Sequence, residues 1–141
     1  MNSNQFLFLD FDGVLHPTTH GSLLFSNSYL LENVFLNYQC NIVISSSWRF
    51  HAKIEELKIK LPGPMQPLLR GVTGEPYIGK YSRYHEIVGY LYDREKHLAD
   101  WRALDDSLLE FPEGCENLIA CNPKTGITQH EVSQLIEWLN K

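Results

Sequence analysis

The chain has 141 residues, a formal net charge of −5, and 43% hydrophobic and 12% aromatic residues, which fits one domain, 1–141, with an ordinary core. The acidic balance argues against a protein whose main task is coating nucleic acid, so nucleic acid enters only as a substrate. Cys40, Cys115 and Cys121 form no CxxC pair, and no apolar run approaches the ~20 residues that span a bilayer, so a disulfide framework, a zinc site and a membrane are set aside and a cytoplasmic protein is expected.

Met1 to Gln5 carries no basic targeting segment and leads into Gln5 to Leu9, a continuous apolar run that predicts a strand buried on both faces. Asp10-Phe11-Asp12-Gly13 stops it. Val14 to Phe25, with Pro17 and Gly21, predicts a loop or small flap, and the spacing of Leu30, Leu31, Val34, Phe35 and Tyr38 predicts a helix over 29–38. A second buried strand is expected at 41–45, followed by Ser46, Ser47 and an amphipathic helix over 48–61 that ends at Pro62-Gly63-Pro64. Residues 68–72 allow a short strand. Ser82 is placed as the N-cap of a helix from Arg83 to about Glu95. Further strands are expected at 101–104 and 117–121, and Thr128-Gln-His-Glu131 reads as a capping box opening the last helix. Short apolar strands alternating with helices predict an α/β fold: a three-layer, Rossmann-like sandwich on a mostly parallel sheet.

The polar residues gather where such a sheet binds ligands, outside the carboxyl ends of its strands. Asp10 and Asp12 follow the first strand, Ser45 to Ser47 the second, and Asp105 and Asp106 the third long one. Four crowded carboxylates require a cation, and oxygen ligands without His or Cys favour Mg²⁺. A carboxylate is a competent nucleophile for phosphoryl transfer, and a second carboxyl two residues on can carry the proton to and from the leaving group. The implied partner is a phosphorylated substrate. Asp10 and Asp105 can share one cation only if their carboxylates lie within about 8 Å.

Leu7 to Leu15 (LFLDFDGVL), Val43 to Arg49 (VISSSWR) and Ala103 to Ser107 (ALDDS) resemble the first, second and fourth signatures of the haloacid dehalogenase-like superfamily. SSSWR, the Arg83, Glu86, Ile87 helix and WRALDD together are similar to a small branch with little or no cap domain, whose members occur alone or beside RNA-repair modules. The resemblance implies a phosphatase in which Asp10 is nucleophile and metal ligand. Asp12 is then the acid/base and binds metal through its backbone carbonyl. Ser46, or else Ser45, binds the phosphate, and Asp105 with Asp106 completes the magnesium shell. Both Lys80 and Arg83 match the cationic third signature. A cation in the first turn of a helix faces the unfavourable end of its dipole, so Arg83 calls for a local anion, which favours it as the phosphate clamp; Arg49 is the next candidate.

Other readings compete. Leu15 to Ser22 lacks the ligands of a calcium loop, and the serines could serve only as helix caps. Trp48, Trp101 and Trp138 read as core, and His16 and His20 as solvated loop residues. An open site suits bulky substrates such as phosphorylated nucleic-acid ends, proteins or exposed sugar phosphates. The rival from another class is a binding or regulatory module that keeps the fold but turns over weakly.

Overall fold

The computed structural model describes residues 4–141; Met1 to Ser3, part of the segment read as free of a targeting signal, lie outside the described residues. Five strands form one parallel sheet: β1 (Gln5–Leu9), β2 (Asn41–Ile44), β3 (Leu69–Val72), β4 (Asp100–Asp105) and β5 (Leu118–Ala120), in the order β3-β2-β1-β4-β5. Every residue of β1 and β2 is buried, as continuous apolar runs require. Among the described residues four α-helices accompany them: α1 (Ser28–Phe35), α2 (Ile54–Lys58), α3 (Ser82–Asp93) and α4 (Gln129–Leu139).

The connections fix which helix covers which face. Crossovers β1 to β2 and β2 to β3 move one way along the sheet, and β3 to β4 and β4 to β5 move the other way. Right-handed connections therefore place the two sets on opposite faces. Leu7, Leu9, Ile42, Ile44 and Leu104 pack with α1, α4 and residues 57–68 on one face. Phe6, Phe8, Val43, Trp101 and Ala103 pack with Ile87, Tyr90 and Leu91 of α3 and with Phe111 on the other. The direction of winding reverses between β1 and β4, and that switch point is where an open α/β sheet binds its ligand.

Two local expectations need correction. The helix expected over 48–61 is broken into a 3-10 turn (Ser47–Phe50) and the short α2. Tertiary bonds override the amphipathic pattern: Arg49 donates to the carbonyls of Ser45, Ser46 and Gly74 and pairs with Glu86, which pins the turn before an α-helix can propagate. Ser82 does not cap α3. It is the first helical residue, its hydroxyl donates to Gly79 O at 3.0 Å, and the cap position is Tyr81 in the left-handed region, φ 57°. The capping box of α4 is formed: Thr128 N–H donates to Glu131 Oε1 at 2.8 Å and Thr128 Oγ1 accepts from His130 N.

Residues 10–27 and 73–81, the connections that leave the carboxyl ends of β1 and β3, contain turns but no helix or strand apart from the isolated Asp12–His16 bridge, so no cap domain is built there. Among the described residues, no helix is long and apolar enough to cross a membrane.

Candidate active site

Four chain segments meet at the switch point, and the ladder continues past the strand ends to align them. Asp10 N donates to Leu104 O, Ser45 N to Leu9 O, Thr73 N to Ile44 O and Cys121 N to Asp105 O, all at 2.9–3.1 Å. Asp10, Ser45 and Asp105 each follow by two the residues Phe8, Val43 and Ala103, so by strand alternation they share the face that packs on α3.

Asp10 and Asp105 are buried and Asp106 is half-buried, and one carboxylate oxygen from each lies within 4.8 Å of the others. The 8 Å condition for a shared cation is met. Phe11 N–H donates to Asp10 Oδ1 and Ser107 N–H to Asp105 Oδ1, both at 2.9 Å, which fixes the two carboxyl planes. Gly13 has φ +77°, and a Cβ there would overlap the Asp106 carboxylate, so only glycine lets that third carboxylate approach.

Arg83 reaches into this cluster from the first turn of α3. Its Nη1 lies 2.7 Å from Asp105 Oδ2 and 3.6 Å from Asp10 Oδ1, and its Nε lies 3.6 Å from Glu86 Oε1. The anions that excuse a cation at a helix N-terminus are therefore present. Lys80, three residues earlier, is exposed with its ammonium 4.9 Å over the Tyr81 ring. Arg49 is spent on carbonyls and on Glu86, at 3.0 Å.

Burial raises the Asp10 carboxyl well above the usual range, Asp105 adds to that, and Arg83 only partly offsets it. Burial also pushes Asp105 up to about 6, against the pull of Arg83. Burial by itself would lower the Arg83 guanidinium, but Asp105 and Asp10, then Glu110 and Glu86, hold it above its ordinary value. Three carboxylates against one guanidinium leave a deficit of positive charge. Three hard oxygens at this spacing, close to the ~4 Å across an octahedral Mg²⁺ shell, fit such an ion.

Asp12 stands apart from that cluster, its side chain half exposed. His16 Nε2 is 2.8 Å from its Oδ1, and Trp48 Nε1 donates to its Oδ2 at 3.1 Å. His16 corrects the sequence reading, since it is buried at 3% exposure rather than solvated. Trp48 packs half-buried against the core and in addition meets a carboxylate. His20 is exposed, and Trp101 and Trp138 are core. The only sequence signal for His16 was its place four residues after Asp12 in a tight turn; Trp48 had none, because its partner is 36 positions away.

Ser46 Oγ caps the 3-10 turn by accepting from Trp48 N, which leaves its own proton free to donate. Ser45 Oγ and Thr73 Oγ1 are buried with no hydrogen-bond partner among the described residues. Cys40 and Cys121 are buried free thiols; burial pushes Cys40 up to about 12 and Cys121 higher still, so neither is a nucleophile.

A model of the HAD domain in Swiss Army Knife RNA repair proteins matches residues 6–132 of the chain. No curated protein and no solved structure gives a significant match.

Proposed function

This chain belongs to the family of HAD domains in Swiss Army Knife RNA repair proteins, and from that membership we propose that it is a phosphohydrolase that requires Mg²⁺ and works through an aspartyl-phosphate. The observation that carries the reading is the cluster of Asp10, Asp105 and Asp106 within 4.8 Å, with Arg83 inserted, at the switch point of the sheet. Asp10, Asp105 and Asp106, with the backbone carbonyl of Asp12, are the residues that would hold the ion. When bound, the ion supplies charge shielding between carboxylate and phosphate and polarises the phosphoryl oxygens.

The chain's own groups account for the rest. Asp10, oriented by the Phe11 N–H, attacks phosphorus. Asp12 protonates the departing oxygen and then takes a proton from the water that breaks the acyl phosphate. The Ser46 hydroxyl, with Ser45 as the alternative donor, and the Arg83 guanidinium meet the charge on the equatorial oxygens. Arg83 lies within the cluster and Lys80 does not, which supports Arg83 as the clamp.

Without a cap domain the site admits a bulky phosphomonoester. The family description names RNA repair, which supports a phosphorylated nucleic-acid end as the substrate class. The test is hydrolysis of a generic aryl phosphate with Mg²⁺ or with EDTA, followed by a screen of phosphorylated oligonucleotide ends, nucleotides and sugar phosphates. Turnover should need the metal and fall beyond about 10⁴-fold in Asp10→Asn. Turnover that survives in Asp10→Asn would sink the mechanism.

A further inference from the structure

We propose that His16 and Trp48 are positioning residues that hold the Asp12 carboxylate in its working orientation, an inference that rests on the acid/base role given to Asp12 above. The hydrogen bonds assign the direction. Phe25 N–H donates to His16 Nδ1 at 3.1 Å, and a ring nitrogen that accepts carries no proton. The neutral ring therefore carries its proton on Nε2, which donates to Asp12 Oδ1 at 2.8 Å. Trp48 Nε1 has only a hydrogen to give, and gives it to Oδ2. Each carboxylate oxygen is thus held by one donor, and the two donors come from different segments.

Those donors are themselves built in. Phe25 adopts φ 61°, a left-handed conformation uncommon for a residue with a side chain, and its N–H meets the His16 ring. The rings interlock: Phe25 stands edge-on to His16 and to Trp48, both at 5.4 Å, and Phe11 stands edge-on to Trp48, also at 5.4 Å. Ser46 Oγ accepts from the Trp48 backbone N–H. The box ties together the end of β1, the loop after it and the turn after β2.

A purely structural account explains this poorly. An apolar ring would fill the place of His16, and a half-exposed carboxylate can be satisfied by water. The chain instead spends a buried histidine and an indole N–H on orienting a loop carboxylate. Since both partners are donors, a proton carried by Asp12 must sit on a lone pair that neither of them uses, and it remains available for the leaving oxygen.

The test uses the full chain with Mg²⁺ and a series of phosphate esters whose leaving groups range from dinitrophenol to simple alcohols. Trp48→Phe and His16→Leu should lower kcat/KM, which reports phosphoryl transfer to Asp10 and not the later attack of water that also uses Asp12. That loss should be small for dinitrophenyl phosphate, which needs no proton to leave, and about tenfold to a hundredfold for phenyl or alkyl esters. His16→Gln, which restores a donor, should recover part of it. In an Asp12→Asn background neither substitution should add a further loss. Equal losses of kcat/KM across the series, or losses additive with Asp12→Asn, would overturn the proposal. A readout independent of turnover is ¹⁵N NMR of the His16 ring and the Trp48 indole. The Nε2-protonated tautomer is expected, with both N–H signals shifting in Asp12→Asn; an Nδ1–H tautomer, or signals unmoved by that substitution, would overturn it as well. A wild-type protein that hydrolyses none of the esters defeats the phosphohydrolase reading, whereas the NMR result still decides whether His16 and Trp48 hold Asp12.

Discussion

Asp10 lies buried at the end of β1 against Asp105 and the Arg83 guanidinium, whereas Asp12, two residues on, keeps a half-exposed side chain between the N–H donors of His16 and Trp48. The first half of the site is set by the sheet. Its backbone is locked in the ladder, its carboxylates share a low-dielectric pocket, and charge balance controls it. The second half is set by a loop, and hydrogen bonds from an aromatic box do there what the ladder does for Asp10. The loop sequence Phe11 to Gly13 joins the halves: Phe11 N–H orients Asp10 and Gly13 makes room for Asp106, while Asp12 between them faces His16 and Trp48. In the proposed mechanism one carboxyl serves attack and metal binding and the other proton transfer, and each is held by different neighbours.

If the halves are separable, the strongest demonstration is Asp12→Asn. Turnover should fall by about 10²–10⁴-fold while Mg²⁺ binding, followed by calorimetry, stays close to wild type. Loss of metal affinity would show that the halves are one unit, and near-normal turnover would remove the role given to Asp12. The asparagine amide also brings a donor against one of two donors, so part of the box contact is lost.

Arg83→Ala tests the sheet-borne half. Removing a charge that faces the transferring group should cost about 10²–10³-fold in turnover with the fold retained. It should also enlarge the rise in melting temperature on adding Mg²⁺, because three carboxylates within 4.8 Å lose their guanidinium. A mild phenotype would move the clamp elsewhere.

A smaller effect is expected in the pH dependence of stability without metal. The Asp105 carboxyl stands near 6 in the folded protein against about 3.9 in an unfolded chain. Between those values the native state binds more protons than the unfolded one, so stability falls as pH rises from about 4 to about 6. Thermal melts in EDTA should show that decline, with Asp105→Asn reducing it; the buried Asp10 carboxyl, also raised, adds to the same fall. An increase across the window would contradict the charge-deficit account.

The smallest change belongs to Lys80→Ala. An exposed lysine stacked on Tyr81 should alter stability by no more than about 0.5 kcal/mol and leave kcat almost unchanged. A severe loss there would give Lys80 the clamp and leave Arg83 a purely structural ion pair.

Much of this architecture was legible in the chain itself, because it depends on local properties. Continuous apolar runs marked β1 and β2, Trp101 to Leu104 marked β4, and the polar residues that follow Leu9, Ile44 and Leu104 marked the edge where such a sheet binds ligands. Thr128 and Glu131 announced α4 because a capping box is satisfied within four residues. Tertiary structure decided the rest, wherever a partner lies far along the chain. Arg49 broke the helix expected over 48–61 through carbonyls up to 25 positions away and Glu86, 37 positions away. Arg83 and not Lys80 reaches the carboxylates because α3 carries its side chain there, with a left-handed Tyr81 between the two. His16 and Trp48 look like ordinary loop and core residues until the box closes around Asp12. Periodicity records which side of an element is buried; it carries no record of which distant hydrogen-bond donor will be waiting there.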